Sequence, residues 1–228
     1  MNTKTTYIFF IFLIVCHVKV FSQVGDQRRN LAIGVNGGIS LNKVTFNPTV
    51  LTKNLKGSTF GLTARYISEV YFGMRCGAQI EVNYQQRGWD EFYQDFPELQ
   101  YTRKMNYIDI PFFAHMGFGK DKGFQFFINL GPEFGYFLSD SYTVGDGWED
   151  TTYPTQQHAL NVDKKFDYGI GAGGGIELKT KMGNFLLEGR YYYGLSDFYN
   201  NEKKDIFARS AHNNITIKAP YLFDIFNK

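Results

Sequence analysis

The sequence predicts an all-β fold in which eight antiparallel strands run up and down around a closed barrel. The first observation is a two-residue period in eight segments, where apolar side chains alternate with glycine or polar ones. This period is the spacing of a β-strand. The second observation is that short and long connections alternate along the chain, as in up-and-down barrels. The segments are residues 31–41, 59–66, 72–85, 107–118, 124–138, 166–179, 185–196 and 214–223.

In the first four segments the apolar side chains of each segment share one parity. They are Leu31, Ile33, Val35, Ile39 and Leu41; Phe60, Leu62, Ala64 and Tyr66; Phe72, Met74, Cys76, Ala78, Ile80, Val82 and Tyr84; and Ile108, Ile110, Phe112, Ala114, Met116 and Phe118. Glycine and polar side chains dominate the opposite parity. Each segment is therefore predicted to be a strand with one apolar face.

The last four segments follow the same rule. Their apolar residues are Phe124, Phe126, Ile128, Leu130, Phe134, Tyr136 and Leu138; Phe166, Tyr168, Ile170, Ala172, Ile176 and Leu178; Phe185, Leu187, Tyr191, Tyr193 and Leu195; and Ile215, Ile217, Ala219, Tyr221 and Phe223. The sixth segment also contains the spacing of a dinucleotide-binding loop in Gly169, Gly171 and Gly174. That motif requires a helix directly after the glycines, and no helical period follows them, so this segment is predicted to be barrel wall.

The connections indicate which segments are joined by hairpins. Residues 68–71, 119–123 and 180–184 are predicted tight turns, whereas residues 42–57, 88–104, 139–165 and 197–212 are long and polar. Pro111, Pro132 and Pro220 fall inside strands, where each removes a ladder hydrogen bond, so we expect bulges or bends there.

The period alone does not decide whether the apolar face points inward, as in a soluble ligand-binding barrel, or outward, as in a membrane barrel. Gly169, Gly171, Gly173 and Gly175 share the polar face. Glycine weakens a strand, whereas a narrow barrel needs small residues inside. Most lysines lie in predicted loops, and aromatic residues cluster at the tight-turn end, as at a membrane interface. We therefore predict a transmembrane β-barrel. The predicted aromatic girdle is Phe72, Phe118, Phe124, Phe185 and Phe223.

The N-terminal residues have the layout of a secretory signal peptide. Lys4 precedes an apolar run over residues 7–18, and Ser22 is a small residue suited to cleavage. We predict a signal peptide at 1–22 and an outer-membrane barrel domain at 23–228. Only Cys76 then remains, so no intrachain disulfide is expected. The net charge of +2 argues against a nucleic-acid partner, and the scattered histidines suggest neither a metal site nor a cofactor.

Charged side chains on the inward parity form the largest candidate constellation. Asp109 and Glu133, like Glu177 and Glu188, would approach each other across a hairpin and could form an acid–base pair. The favoured alternative is a structural plug, in which arginines neutralise the carboxylates because unpaired buried charge is costly. The predicted lumen network is Arg65, Arg75, Glu81, Asp109, Glu133, Glu177, Glu188 and Arg190.

The long loops contain the other candidates. Aromatic residues mixed with acids suit either a partner-binding surface or an interfacial rim; they are Trp89, Phe92, Tyr93 and Trp148. Residues 145–150 lack the ligand spacing of a calcium loop. His158 and His212 have no spacing that would support a hydrolase triad, so we expect no catalytic residues and no enzymatic activity.

The chain resembles the PorT-like, or "porin family", outer-membrane β-barrel proteins of Gram-negative bacteria. The resemblance lies in QIEVNYQQRG (79–88), NYIDIPF (106–112), LGPEFGY (130–136), the glycine-rich segment from Phe166, LEGRYYYG (187–194) and the closing YLF (221–223). It implies a barrel in the outer membrane and no particular reaction. Some members are associated with protein secretion machinery. Members commonly stop at the last aromatic pair, whereas this chain continues to Lys228.

These observations predict an integral outer-membrane protein with a side-chain-filled lumen, acting as an anchor or binding partners through its long loops. Eight strands leave room for side chains only, so a diffusion porin is not expected. A narrow channel or secretion accessory is the first alternative, and a soluble periplasmic ligand-binding barrel is the second. We expect a monomer whose partners are outer-membrane lipid and periplasmic or surface proteins.

Overall fold

A computed structural model describes residues 25–93, 96–120, 122–150, 155–158, 160–202 and 204–227. The predicted signal peptide lies outside these residues. Two short 3₁₀ helices cover Asp146–Asp150 and Gln156–His158. In the described part of the chain no helix has both the length and the apolar character needed to cross a membrane. The strands are β1 (Asp26–Asn47), β2 (Leu55–Tyr71), β3 (Met74–Tyr93), β4 (Phe96–Gly119), β5 (Gly123–Val144), β6 (Phe166–Thr180), β7 (Gly183–Gly194), β8 (Arg209–Lys218) and β9 (Tyr221–Asn227).

From β1 to β8 each strand pairs antiparallel with the next strand in the chain, and β1 closes the ring. β1 pairs with β2 along one edge and with β8 and β9 along the other. β8 and β9 occupy consecutive parts of the same position in the wall, so the barrel has eight wall positions. The predicted eight-stranded antiparallel up-and-down barrel is confirmed.

The break between β8 and β9 lies at Ala219 and Pro220. Proline has no N–H to donate to a ladder, and here the strand is interrupted. The carbonyl of Pro220 still accepts a hydrogen bond from the N–H of Leu186 at 2.9 Å, and the N–H of Ala219 donates to the carbonyl of Gly37 at 2.8 Å. The barrel wall therefore stays joined on both sides of the break.

Several strands extend further than their alternation suggested. β1 continues to Asn47, β3 to Tyr93, and β4 begins at Phe96, so much of the predicted loops 42–57 and 88–104 is hairpin. The long connections are residues 48–54, 145–165 and 195–208. One predicted tight turn is also displaced: 68–71 belongs to β2, and the turn is formed by Phe72 and Gly73, both with positive φ. Phe72 therefore lies in a turn and not on a strand face.

The outward face of the barrel is an apolar band bordered by aromatic residues at both ends. On β4 the band runs from Ile108 to Phe118, which is about 33 Å along the strand and about 25 Å after allowing for strand tilt. That height matches the hydrocarbon-facing band of a membrane barrel. The border at the tight-turn end includes Phe118, Phe124, Phe185, Tyr221 and Phe223, and the border at the other end includes Phe60, Tyr84, Tyr136, Phe166 and Tyr193.

Beyond the second border the apolar side chains move to the inward parity. On β4, Ile110 points outward in the band, whereas Tyr101 and Met105 point inward and are fully buried. On β1 the same change separates outward Leu41 from inward Phe46. The reason is the surroundings: once a strand leaves lipid its outer face meets water, so apolar side chains are stable only inside.

These inward side chains form an aromatic core on the long-loop side of the membrane. We call this part the head; it comprises the described residues of 42–58, 88–107, 137–165 and 195–213. Ring pairs such as Phe46 with Trp89, 5.2 Å between centroids, connect strands to loops. The core residues are Val44, Phe46, Trp89, Leu99, Tyr101, Met105, Tyr107, Phe137, Trp148, Phe198, Tyr199 and Phe207.

Candidate functional site

The lumen within the lipid band is filled by charged side chains held on the inward parity of the strands. The structure places all eight predicted network residues there, each buried; they are Arg65, Arg75, Glu81, Asp109, Glu133, Glu177, Glu188 and Arg190. Seven of them belong to three ion-pair clusters stacked along the barrel axis. Arg75 lies below the clusters, at the tight-turn end, where its Nη2 donates to the carbonyl of Gly119 at 3.1 Å.

The lowest cluster is a bidentate ion pair across the barrel. Arg65 on β2 donates from Nη1 and Nη2 to the two carboxylate oxygens of Glu177 on β6, at 2.9 and 2.6 Å. β2 and β6 lie on opposite sides of an eight-position ring, so this pair spans the lumen. Two parallel N–H···O bonds are the strongest geometry for an arginine and a carboxylate.

The middle cluster surrounds Glu81. Its carboxylate accepts hydrogen bonds from Arg190 at 2.7 and 3.1 Å and from Lys218 Nζ at 2.9 Å. Arg190 also pairs with Glu188 at 2.9 Å, so two carboxylates share two cations. Sequence reasoning missed Lys218, although it lies on the polar parity of the eighth segment.

The upper cluster is centred on Arg87, which sequence reasoning also missed because it placed the end of the third strand at residue 85. Arg87 pairs with Asp109 at 2.7 Å and Asp167 at 2.5 Å, and it approaches Glu133 to 3.5 Å. Asp167 accepts further hydrogen bonds from Tyr192 Oη at 2.7 Å and from the Ser196 hydroxyl. One guanidinium thus holds three carboxylates at the base of the head.

Of the two carboxylate pairs expected from the hairpins, one is present and the other is not formed. Asp109 and Glu133 do meet, at Arg87. Glu177 and Glu188 do not form a pair, because Glu188 lies opposite Gly175 in the ladder and binds Arg190, while Glu177 binds Arg65. Each carboxylate is held by an arginine, which is the geometry of a structural plug. Among the described residues, no group of three His, Cys, Asp or Glu side chains is placed to hold a metal ion.

Aromatic rings fill the space beside the glycines of β6. A Cβ on Gly171 would lie 2.8 Å from the ring of Phe113. One on Gly175 would lie 2.0 Å from the carbonyl oxygen of Leu187 and 2.9 Å from the ring of Phe127. The Arg190 guanidinium lies 4.5 Å from the centre of the Phe113 ring. The glycine face therefore provides room for inward rings, which in turn pack against the ion pairs.

In the head, two of the four residues predicted as a loop binding surface are core residues. Trp89 is fully buried and Trp148 is 7% exposed. The outer face of the head meets water, so these apolar rings are more stable inside it. Tyr93 is half-buried and packs edge-on against Trp148, with ring centroids 5.9 Å apart. The side chain of Phe92 lies outside the described residues. The expectation of an exposed binding surface at Trp89 and Trp148 is therefore corrected.

A buried carboxylate fastens a loop to the head. Glu91 on β3 accepts hydrogen bonds from the Nε1 of Trp89 at 2.8 Å and from the Nε2 of Gln157 at 3.1 and 3.2 Å. His158 Nε2 lies 3.0 Å from the same carboxylate, and its ring stacks on Tyr101 at 3.7 Å. Residues 155–158 are thus held over the barrel by polar and aromatic contacts together.

Arg103 fastens a second set of loop residues. It pairs with Asp140 at 2.5 Å, and its Nη1 donates to the carbonyl of Leu160 at 2.7 Å and to the Tyr199 hydroxyl at 2.8 Å. Burial raises the pKa of Tyr101 to about 12 and also raises the pKa of Tyr199. Both hydroxyls therefore stay neutral at physiological pH. Arg103 thus joins β4 to Leu160 and Tyr199 of two connections.

Several solved structures are similar to this chain. OprG, an outer membrane protein from Pseudomonas aeruginosa, is 12% identical with a TM-score of 0.47, and the match covers 88% of this chain and 97% of that one. Neisserial surface protein A is 14% identical with a TM-score of 0.42, covering 84% and 99%. Ail of Yersinia pestis, in complex with the heparin analogue sucrose octasulfate, is 14% identical with a TM-score of 0.39, covering 87% and 99%. No curated protein matches the chain.

The family model described as "Outer membrane protein beta-barrel domain" matches residues 21–200. The match spans the strands from β1 to β7 and most of the head. It agrees with the outward apolar band, the aromatic borders and the polar lumen described above. The chain belongs to this family of outer-membrane β-barrel proteins.

Proposed function

We propose that this protein is a sealed barrel that anchors a rigid head at the outer-membrane surface, where the head contacts partner molecules. The observation that carries the proposal is that the lumen is obstructed twice. Ion pairs between opposite strands cross it inside the lipid band, and the aromatic core fills it in the head. Eight-stranded barrels have an interior just wide enough for such side chains.

The hydrogen bonds that hold loop residues of the head support the binding part of the proposal. Loops that contact partners are most effective when a firm scaffold holds them. Here Glu91 and Arg103 are fully or almost fully buried, and each holds residues of the 145–165 connection by direct hydrogen bonds. The head therefore offers a preformed surface on which little ordering is needed when a partner binds.

Conductance measurements test the sealed lumen. The purified, folded protein would be inserted into planar bilayers, with a porin of known conductance as a positive control in the same chamber. We expect no large, stable current steps from this chain while the porin conducts. Large, stable steps from protein that is folded by gel mobility before and after boiling would overturn the proposal and favour the narrow-channel alternative.

The finer expectations from the sequence are part of the same proposal. We propose that the protein is a PorT-like member, is exported by residues 1–22, acts as a monomer and is not an enzyme. The segments 79–88, 106–112, 130–136, 187–194 and 221–223 support PorT-like membership. The pairing of each lumen carboxylate with an arginine supports the absence of enzymatic activity. Sequencing the N terminus of the mature protein should give a start close to Gln23. Light scattering in detergent should give the mass of one chain.

A secretion role would require binding to a secretion complex, which co-purification from the native membrane would detect. The soluble periplasmic alternative is not favoured, because the chain belongs to an outer-membrane family and its outward face is apolar. Extraction that depends on detergent is the expected outcome. Release of the folded protein into buffer without detergent would contradict it.

A further inference from the structure

The mouth of the barrel at the tight-turn end contains a cavity of about 420 Å³. Short turns of outer-membrane barrels face the periplasm, so this cavity opens toward that compartment. Five of its lining residues are cations, and one is a carboxylate. They are Arg28, Arg75, Lys122, Lys179, Lys181 and Asp224.

The cavity lies inside the lumen and has a closed upper end. Asn30, Asn184 and Arg75 line it and are at least nine-tenths buried. Two residues further along β7 and β9, the inward side chains are Leu186 and Leu222. They pack into a small apolar cluster with Ala32 and Phe127. The mouth is therefore a pocket below a packed layer and not the entrance of a pore.

Two described carboxylates in or next to the mouth, Glu177 and Asp224, hydrogen-bond to residues of the barrel itself. Glu177, one inward position above Lys179 on β6, accepts hydrogen bonds from Nη1 and Nη2 of Arg65. Asp224 Oδ1 accepts a hydrogen bond from Asn184 Nδ2 at 2.9 Å. The described lining thus has an excess of positive charge in a concave, partly dehydrated site, where electrostatic attraction to an anion is stronger than on an open surface.

We infer that this basic mouth is a binding site for a phosphate-bearing anion on the periplasmic side. Arginine and lysine are the side chains that hold phosphate in proteins, through charge-assisted hydrogen bonds. The volume is large enough for about a dozen waters or for a group of one or two phosphates. The phosphate can belong to a soluble anion or to the headgroup of an anionic lipid in the inner leaflet, and both present the same chemistry.

The test uses the full mature chain in zwitterionic detergent, titrated with inorganic pyrophosphate by calorimetry. The double variant Lys179→Gln/Lys181→Gln removes two lining cations, and Lys43→Gln/Lys104→Gln is the matched control, since both of its lysines are exposed in the head. Because charge-assisted hydrogen bonds to phosphate are lost, affinity should fall by about tenfold or more in the lining variant and stay unchanged in the control. Gel mobility before and after boiling shows that each variant is folded.

A second arm identifies the source of the phosphate. The protein is placed in nanodiscs of phosphatidylcholine with and without phosphatidylglycerol, and lipid retained after extraction is measured by native mass spectrometry. Retention of phosphatidylglycerol that the lining variant loses and the control keeps assigns a lipid headgroup. Pyrophosphate binding without such retention assigns a soluble anion. Absence of both from the folded parent protein overturns the inference, as does binding that both double variants weaken equally.

Discussion

Arg190 on β7 and Glu81 on β3 stand on opposite sides of the barrel, and their side chains meet at 2.7 Å in the middle of the lumen. The two residues are 109 positions apart in the chain. Arg190 also binds Glu188, and Glu81 also binds Lys218, so the contact joins three wall strands through one cluster. This cluster crosses the lumen at the level of the lipid.

Replacing Arg190 with alanine should strongly destabilise the barrel. Glu81 and Glu188 would remain buried with less compensation, and breaking a buried ion pair by removing one partner costs about 3–5 kcal/mol. The free energy of unfolding would be measured by urea titration in lipid vesicles. Lys43→Ala, at an exposed position of the head, is the control and should change stability little. Equal stability of the two variants would contradict the plug.

Replacing Gly171 with alanine should destabilise the protein because the added Cβ would lie 2.8 Å from the Phe113 ring. Overpacking of this kind costs about 1–3 kcal/mol. Gly189→Ala is the matched control, since nothing lies within 4 Å of a Cβ added there. The second change Phe113→Leu should recover part of the loss. If the Gly171→Ala variant had the parental free energy of unfolding, the Phe113 ring would not require a glycine at position 171.

The two tryptophans should be shielded from both water and lipid. Trp89 and Trp148 are the only tryptophans in the chain, and both are buried in the head, outside the lipid band. In the folded protein we expect weak quenching of their fluorescence by acrylamide and by brominated lipid chains. Boiled, unfolded protein is the internal control and should be quenched readily by acrylamide. Strong acrylamide quenching of the folded protein would instead support an exposed loop surface.

Stability should fall at high pH as tyrosines of the head ionise. Burial raises the pKa of Tyr101 to about 12 from an ordinary value of 10.0. The pKa of Tyr101 is higher in the folded protein than in the unfolded chain. Its contribution to stability is therefore complete below the unfolded-state pKa and is lost as pH rises through the folded-state pKa. Unfolding free energy measured from pH 9 to about pH 12 should therefore decrease. Tyr101→Phe should show a smaller decrease over this interval; an identical slope would count against the burial of Tyr101.

The local alternation of side chains predicted the strands and the barrel. The glycines on the polar face, the lysines in the loops and the aromatic residues at the tight-turn end then predicted that the apolar face meets lipid. Phe126 and Ile170 face outward, and Gly171 and Arg190 face inward, because neighbouring side chains of a strand point to opposite faces whatever the strand pairs with. That rule needs only nearest neighbours. The polar parity also predicted a charged lumen, and the cost of unpaired buried charge favoured a plug of ion pairs over an acid–base pair of carboxylates.

Which charges meet, and where the alternation reverses, was decided by the tertiary structure. Arg87 holds Asp109 and Asp167 because three strands bring them to one level of the axis, a relationship set by ladder register around the ring. Trp89 is in a core, and not on a binding surface, because the closed wall and the loops above it exclude water. Alternation in the sequence specifies which face a side chain occupies; only the closed barrel specifies whether that face meets lipid, water or another side chain.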